Sequence, residues 1–286
     1  MKRKFVRLLR YVVFNKNAFE NLKNQVKLLA LIKYFTGAKL VHFRTNLYHL
    51  TDYLSGSFTT DEKLKVLLHH YTYLKKNFSP VQLKQIFNEG IVCFEEDNNI
   101  GRYSIVLGSS LTLEFEGSLS LFLKFNDVKI ATLSFTIVPG NIFNLRDESV
   151  AYITCTQRIG QHKAHILAAI KHFRDIVPSV VLMKSFEGIL NTLDIASCVG
   201  ISHINQITAL KNTGEEEKYQ SFYNKLWNNY GGIDIGGNYL IPLPLAQKPL
   251  LLIKQTHRNR TVKKRAKLRE IYTATVNKMN AFKNQA

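Results

Sequence analysis

Acidic residues and cysteines are scarce in this chain of 286 residues. It has 21 Asp and Glu residues against 39 Lys and Arg residues, which gives a formal net charge of +18. Such an excess favours an anionic partner: nucleic acid, a phospholipid surface or a phosphorylated small molecule. The three cysteines, Cys93, Cys155 and Cys198, lie far apart in the sequence. Their number and spacing predict neither a disulfide framework nor a zinc site, so we expect buried thiols in a reducing compartment.

Long hydrophobic runs are also missing, because no stretch approaches the ~18 uncharged apolar residues that a membrane span needs. The chain begins MKRKFVRLLRYVVF, which imitates a signal peptide, but Arg7 and Arg10 interrupt the apolar part and no small-residue cleavage site follows. We therefore expect this segment to stay in a cytoplasmic protein. Serine-hydrolase, P-loop and dinucleotide fingerprints are absent. Helix-turn-helix, zinc-finger and RNA-binding aromatic motifs are absent too, which makes nucleic acid the less favoured anionic partner.

The periodicity of the apolar residues changes along the chain. Helical patterns run through residues 1–90. Thr59 and Thr60 can cap the third helix, which ends before Ser79, and Pro80 lies at the start of the fourth. Strand-like segments then follow at 91–96, 103–108, 111–117, 118–125, 128–138 and 149–157. Beyond residue 160 the chain reads as helices with strands at 201–208 and 238–245, and it ends in a basic helix from residue 256.

This order predicts an α+β fold made of three stretches. Residues 1–90 form a helical N-terminal region, and residues 91–255 form a mixed, mostly antiparallel sheet flanked by helices. Residues 256–286 form a basic C-terminal helix.

Both ends of the chain are basic and amphipathic. In the first segment Arg3, Arg7 and Arg10 lie opposite an apolar helical face. In the last segment the cations are more closely spaced: Arg258, Arg260, Lys263, Lys264 and Arg265. Such helices can lie peripherally on an anionic inner-membrane surface, at about 1 kcal/mol per basic residue. The alternative is a helix that packs its apolar face on the domain.

The segment TCTQRIGQHKAHI, at 154–166, raises a second possibility. A strand stops, a glycine follows and a helix begins. Free amides at the start of a helix attract phosphate, and glycine lets the backbone approach it. The candidate cofactor-binding residues are therefore Gln157, Arg158, Gly160, Gln161, His162 and Lys163. An ordinary strand-to-helix turn that happens to be basic is the alternative.

Catalytic residues are harder to select. A transferase needs a base and an acid, and Glu114, Glu116 and Tyr223 are of suitable type. The two glutamates lie on one face of the strand predicted at 111–117, where facing solvent is the favoured alternative. Cys155 has the chemistry of a nucleophile, but the sequence places no histidine to activate it. The histidines have no partners at the spacing of a known metal site, so we expect no metal. Trp227 either walls a pocket or anchors the core.

The order of the elements resembles the Gcn5-related N-acetyltransferases, in which the helix after the fourth strand holds the pyrophosphate of acyl-CoA. That family's turn reads Gln/Arg-x-x-Gly-x-Gly/Ala. Gln157 and Gly160 match it, whereas His162 stands where a small residue belongs. The resemblance implies an acetyltransferase-like fold, acyl-CoA as the cofactor and an N- or O-acyltransferase activity.

A second resemblance covers most of the chain. The sequence is similar to the VirK/YbjX family of bacterial proteins in several blocks: LLHHYTYLKKNFS at 67–79, AYITCTQ at 151–157, FYNKLWNNYGG at 222–232, LIPLP at 240–244 and RNRTVKKRAKLREIY at 258–272. It differs in carrying Arg158 where that family usually has glycine after the glutamine. The resemblance implies a role in cell-envelope and lipid A remodelling, virulence and resistance to cationic antimicrobial peptides. It implies an envelope partner but no catalytic residues.

Overall fold

The computed structural model describes residues 18–35, 49–110, 115–211, 214 and 216–285. Three helices come first: α1 at Ala18–Tyr34, α2 at Thr60–Asn77 and α3 at Pro80–Asn88. Thr59 and Ser79 each form a capping box, so the predicted cap at Thr59 is confirmed. The predicted N-terminal helix with Arg3, Arg7 and Arg10 lies outside the described residues.

The described residues form a sheet of eight strands. These are β1 at Ile91–Asn98, β2 at Gly101–Ser109, β3 at Leu119–Phe125, β4 at Val128–Pro139, β5 at Ser149–Arg158, β6 at Ser197–Ile201, β7 at Ile233–Asp234 and β8 at Asn238–Ile241. The spatial order is β1-β2-β3-β4-β5-β6-β8-β7. The β5–β6 pair is parallel and the other neighbours are antiparallel. The predicted α+β class with a mixed, mostly antiparallel sheet is therefore confirmed.

Helices flank this sheet, as predicted. They are α4 at Lys163–His172, α5 at Pro178–Thr192, α6 at Ile207–Lys211, α7 at Glu216–Asn229 and α8 at Gln255–Lys283. Helices α4 and α5 form the crossover that a parallel pair needs, and α8 packs on α5 and β1. One hydrophobic core joins Leu67, Phe135, Phe186 and Ile271 with residues from every layer. The division into three stretches remains a prediction.

Two predicted strands differ from the structure over the residues that it describes. Residues Phe115–Gly117, from the strand predicted at 111–117, form a turn, while residues 111–114 lie outside the described residues. At Gly117 a Cβ would lie 3.0 Å from the backbone nitrogen of Phe135, so this turn crosses close to β4. The strand predicted at 201–208 lies earlier in the chain. Residues 197–201 form β6 and pair with β5 and β8, so only Ile201 belongs to both the predicted and the observed strand.

Trp227 is a core anchor rather than a pocket wall. Its side chain is fully buried, and the indole N–H donates to the carbonyl oxygen of Ile201 at 2.7 Å. The ring lies so close to β6 that a Cβ on Gly200 would be 2.5 Å from it. The three cysteines are free and buried, as the composition predicts.

Candidate functional site

A cavity opens where the two parallel strands separate. Strands β5 and β6 pair from Val150–Ser197 to Ile153–Gly200, but β5 continues to Arg158. Among the described residues, the strand that accompanies this last part of β5 is β4. Ligands of open sheets commonly bind beyond the carboxyl ends of parallel strands. The cavity has a volume of about 280 Å³ and is lined by Glu116, Cys155, Thr156, Gln157, Arg158, Ser179, Gln206, Thr208, Phe222 and Tyr223.

A β-bulge shapes the floor of this cavity. The register pairs Ser134 with Cys155 and Phe135 with Ile153, so Thr154 is an extra residue in β5. In a regular strand neighbouring side chains point to opposite faces, and a bulge removes that constraint. Here the Thr154 hydroxyl donates to the main-chain oxygen of Glu116, and the Cys155 thiol lies against the Glu116 carboxylate. The bulge thus lets two consecutive side chains reach the same glutamate.

Glu116 is a buried carboxylate held by uncharged donors. It is 5% exposed, and the side-chain amide of Gln206 donates to its Oε1 atom at 2.5 Å. The Thr208 hydroxyl donates to the same oxygen. Gln206 is oriented in turn by the backbone N–H of Ala209, which donates to its Oε1 atom at 2.5 Å. A buried carboxylate needs such donors, and one that also borders a cavity can accept a proton from a bound molecule.

Cys155 is a neutral thiol rather than a nucleophile. Burial, followed by the charge of Glu116 and the hydrogen bond to it, raises the pKa of Cys155 well above its usual range. The hydrogen bond with Tyr223 acts on this pKa in the opposite direction but is the smallest of these effects. The thiolate is the nucleophilic form of cysteine, so this thiol is protonated and inert at neutral pH. It connects Tyr223 to Glu116 instead.

The basic turn after β5 is open to solvent. Residues Gly160–His162 form a 3-10 turn, and α4 begins without a side-chain cap. The His162 ring stacks on His165 with 5.9 Å between the ring centroids. A Cβ on Gly160 would have no atom within 4 Å, so packing does not require glycine at this position. Gln161 and Lys163 are exposed.

The structure brings some of the predicted site residues together. Glu116, Tyr223, Gln157 and Arg158 share the cavity, whereas Gly160, Gln161, His162 and Lys163 follow it along the chain without lining it. Glu114 lies outside the described residues. The expectation that Glu116 faces solvent is wrong, because its turn crosses β4 and is not a strand of its own.

Gln206 and Thr208, which hold the Glu116 carboxylate, were not among the predicted site residues. They lie in the segment read as a strand at 201–208, and neutral polar side chains at the start of a short helix carry no motif. Within the described part of the chain, no group of three or more His, Cys, Asp and Glu side chains could hold a metal ion.

The basic end of the chain is largely engaged with the protein itself. Arg260 pairs with Asp175 at 2.9 Å, and Lys264 donates to the carbonyl oxygen of Asp175 at 2.7 Å. Arg258 and Arg265 bond to backbone carbonyls of the segment that precedes α8, and Lys263 is exposed. None of the described helices is long and apolar enough to cross a membrane.

Comparison with known proteins gives one family. The profile of the family described as "Protein of unknown function (DUF535)" matches residues 1–278 of the chain. No curated protein and no solved structure matches it, so the likeness to acetyltransferases stays a prediction. DUF535 is the VirK/YbjX family, and the resemblance found in the sequence blocks is confirmed. The chain belongs to the VirK/YbjX family of proteins of unknown function.

Proposed function

We propose that the chain is an acyl-CoA-dependent N- or O-acyltransferase that works at the cavity beside β5. The observation that carries this proposal is the buried Glu116 carboxylate on the floor of an open cavity, at the point where two parallel strands diverge. Concave sites with a few convergent polar groups are the usual location of ligand binding. A buried carboxylate there supplies the base that acyl transfer requires.

The chain offers suitable groups for the acyl donor. Beyond Ile153, β5 lacks its parallel neighbour within the described residues, so an extended amide-bearing chain could pair with that edge. The uncapped start of α4 and the turn at Gly160–His162 offer backbone N–H groups to a pyrophosphate, except that of His162, which donates to Ile159; Lys163 and Arg158 are close in sequence. Acyl-CoA would supply an activated thioester.

The protein's own residues would then divide the proton transfers. Glu116 would accept the proton of an amine or hydroxyl acceptor, while Gln206 and Thr208 hold its carboxylate in position. Tyr223 lines the same cavity and would donate to the thiolate that leaves. Cys155 would keep these two groups connected by hydrogen bonds.

We further propose that this activity serves the cell envelope. The support is the membership of the VirK/YbjX family, whose resemblance implies envelope and lipid A remodelling, virulence and resistance to cationic antimicrobial peptides. Acylation of an envelope precursor would join that role to the cavity chemistry.

Calorimetric titration of the full chain with CoA, acetyl-CoA and a long-chain acyl-CoA tests the donor site. We expect the wild type to bind CoA with micromolar affinity. Gly160→Val should bind at least about tenfold more weakly, because the valine side chain would occupy the place proposed for the pyrophosphate. The melting temperature should be unchanged, since no protein atom lies within 4 Å of a Cβ there. Absence of CoA binding would refute the transferase and leave a binding or scaffolding protein. Equal binding by both proteins would place CoA elsewhere.

A further inference from the structure

A short apolar projection precedes the C-terminal helix. We call Leu250–Ile253 the leucine tip, because its 3-10 turn exposes 84% of Leu251 and 64% of Leu252. Val262 on α8 is also 48% exposed. It lies on the helix face of Arg258 and Arg265, which both bond to the segment 248–253. Scattered exposed leucines are ordinary, but two adjacent ones in one turn form an apolar patch.

The backbone of the leucine tip is hydrogen-bonded within the protein. Arg258 donates to the carbonyl oxygens of Leu251 at 3.2 Å and Ile253 at 3.0 Å. The N–H groups of Leu252 and Ile253 donate to the carbonyl oxygens of Pro249 and Leu250. The two N–H bonds occur in any 3-10 turn, whereas the two bonds from Arg258 hold carbonyl oxygens that would otherwise bond to water. Such internal partners keep carbonyl groups satisfied where water is lost, as at the boundary of a lipid bilayer.

Cations outnumber acidic residues around the leucine tip, although Arg260 pairs with Asp175 and Lys267 pairs with Glu96. Residues 235–269 contain nine Lys and Arg residues and neither Asp nor Glu. Lys248, Lys254 and Lys263 are exposed. A nucleic acid would use the cations but would give no reason to expose leucines. An anionic bilayer uses both, because its surface attracts cations and its acyl region accepts apolar side chains.

A cavity of about 230 Å³ adjoins this surface. Its walls include apolar Val180, Leu245 and Leu268, and its cations are Lys264, Arg265 and Lys184, of which Lys184 pairs with Glu187 at 2.6 Å. The Tyr230 hydroxyl is buried at the same cavity, and no described residue hydrogen-bonds to it. Apolar walls with cations and an unpartnered hydroxyl match an anionic lipid, which has an acyl chain next to a phosphate.

We propose that this face docks peripherally on an anionic phospholipid bilayer, with Leu251 and Leu252 inserted among the lipid head groups. The partner is a lipid surface and not the acyl acceptor of the cavity beside β5. The proposal therefore stands independently of the transferase activity.

Flotation of the full chain with phosphatidylcholine vesicles, with and without phosphatidylglycerol, tests the docking. We expect binding to the anionic vesicles alone. The double variant Leu251→Ser with Leu252→Ser should lower the partition coefficient at least about tenfold, because each inserted leucine contributes by burial of apolar area. Ile100→Ser, which alters a residue 61% exposed in the β1–β2 turn, is the matched control and should bind like the wild type.

A second pair of variants tests the charges. Lys254→Gln with Lys263→Gln should weaken binding about 30-fold, at about fivefold per cation. Lys65→Gln with Lys84→Gln, on exposed positions of α2 and α3, makes the same change of net charge elsewhere and should have little effect. Equal losses in both pairs would mean that net charge alone drives binding, and the proposed face would be wrong.

Insertion itself can be observed by fluorescence. Leu252→Trp should show a blue shift and quenching by brominated lipid, whereas Ile100→Trp should show neither, and the native Trp227 is buried in both proteins. A tip tryptophan that stays in water on bound vesicles would refute insertion. Tight binding of nucleic acid at physiological salt without lipid binding would overturn the proposal in favour of that partner. Glu116→Gln should float like the wild type, so failure of the transferase would leave this result unaffected.

Discussion

Replacing Glu116 separately by alanine and by glutamine would separate its structural role from its chemical role. Alanine leaves the buried amide of Gln206 and the half-buried hydroxyl of Thr208 without their acceptor. A buried donor without a partner costs about 1–3 kcal/mol, so the Gln206 amide predicts a loss of about 1–3 kcal/mol in the free energy of unfolding, to which Thr208 adds less. That is a large share of the 5–15 kcal/mol by which domains are typically stable.

Glutamine should behave differently because it keeps the shape of the side chain. Its amide oxygen can still accept from Gln206 and Thr208, so only the charge contribution to these bonds is lost. We expect Glu116→Gln to lower the free energy of unfolding by about 1 kcal/mol. The pKa of Cys155 should fall, since Glu116 helps to raise it, but should stay above the usual range because burial is the larger cause.

Urea unfolding followed by circular dichroism gives the stabilities of the three proteins, and acyl transfer to an acceptor gives the activities. The glutamine variant should bind CoA like the wild type and lose about 10²–10⁴-fold in transfer, the usual contribution of a general base. Equal destabilisation by alanine and glutamine would show that the charge itself holds the fold. An active glutamine variant would remove Glu116 from the chemistry.

Three further predictions concern the packing and the charges. Gly200→Ala should lower the free energy of unfolding by about 1–3 kcal/mol and shift the Trp227 emission, because the new Cβ would lie 2.5 Å from the indole ring. A stability within about 0.5 kcal/mol of the wild type, as for a surface substitution, would contradict this prediction. Lys267→Met should lower the free energy of unfolding by about 2 kcal/mol, because Lys267 is buried and donates to Glu96 at 2.5 Å. In a double-mutant cycle with Glu96→Gln the two losses of stability should not add up, and additive losses would show that the two side chains do not interact. Burial lowers the pKa of His70 to about 3. The neutral side chain therefore contributes stability that is fully present above an ordinary pKa of ~6.5. This stability is lost as the pH falls from there towards 3, at about 1.4 kcal/mol per pH unit. Urea midpoints measured between pH 7 and 4 should fall accordingly, and a flat profile would contradict the assignment.

Local signals explain why much of the fold was predictable from the sequence. Thr59 and Ser79 cap helices through contacts that lie within four residues. The hairpin at Asn126–Asp127 has positive φ at both central residues, as its short polar turn suggests. These features depend on nearby residues alone. Strand existence followed from β-branched and aromatic alternation for the same reason.

The candidate site depends on tertiary contacts, which a local reading cannot see. Gln157 was predicted from the turn that follows its strand and Tyr223 from its residue type, and the cavity joins them only because β5 ends beside α7. The position of Glu116 depends on the bulge at Thr154 and on a turn that crosses β4, and neither leaves a periodic pattern. Gln206 was missed because its role is to orient a carboxylate that is distant in sequence.

The two cavities have a common wall, which links the two proposals physically. Ser179 lines the cavity of Glu116, and its neighbour Val180 lines the cation-bordered cavity beside the leucine tip. Both residues belong to the first turn of α5. A bilayer docked on the leucine tip would therefore lie on one side of this turn, with the proposed acyl-transfer cavity on the other. An acceptor carried by the membrane would need to pass only this turn to reach Glu116. Ser179→Trp would block that passage, so it should impair acyl transfer to a lipid-borne acceptor while the protein still floats with anionic vesicles. Equal transfer by Ser179→Trp and the wild type, with a lipid-borne acceptor, would show that the acceptor enters by another route.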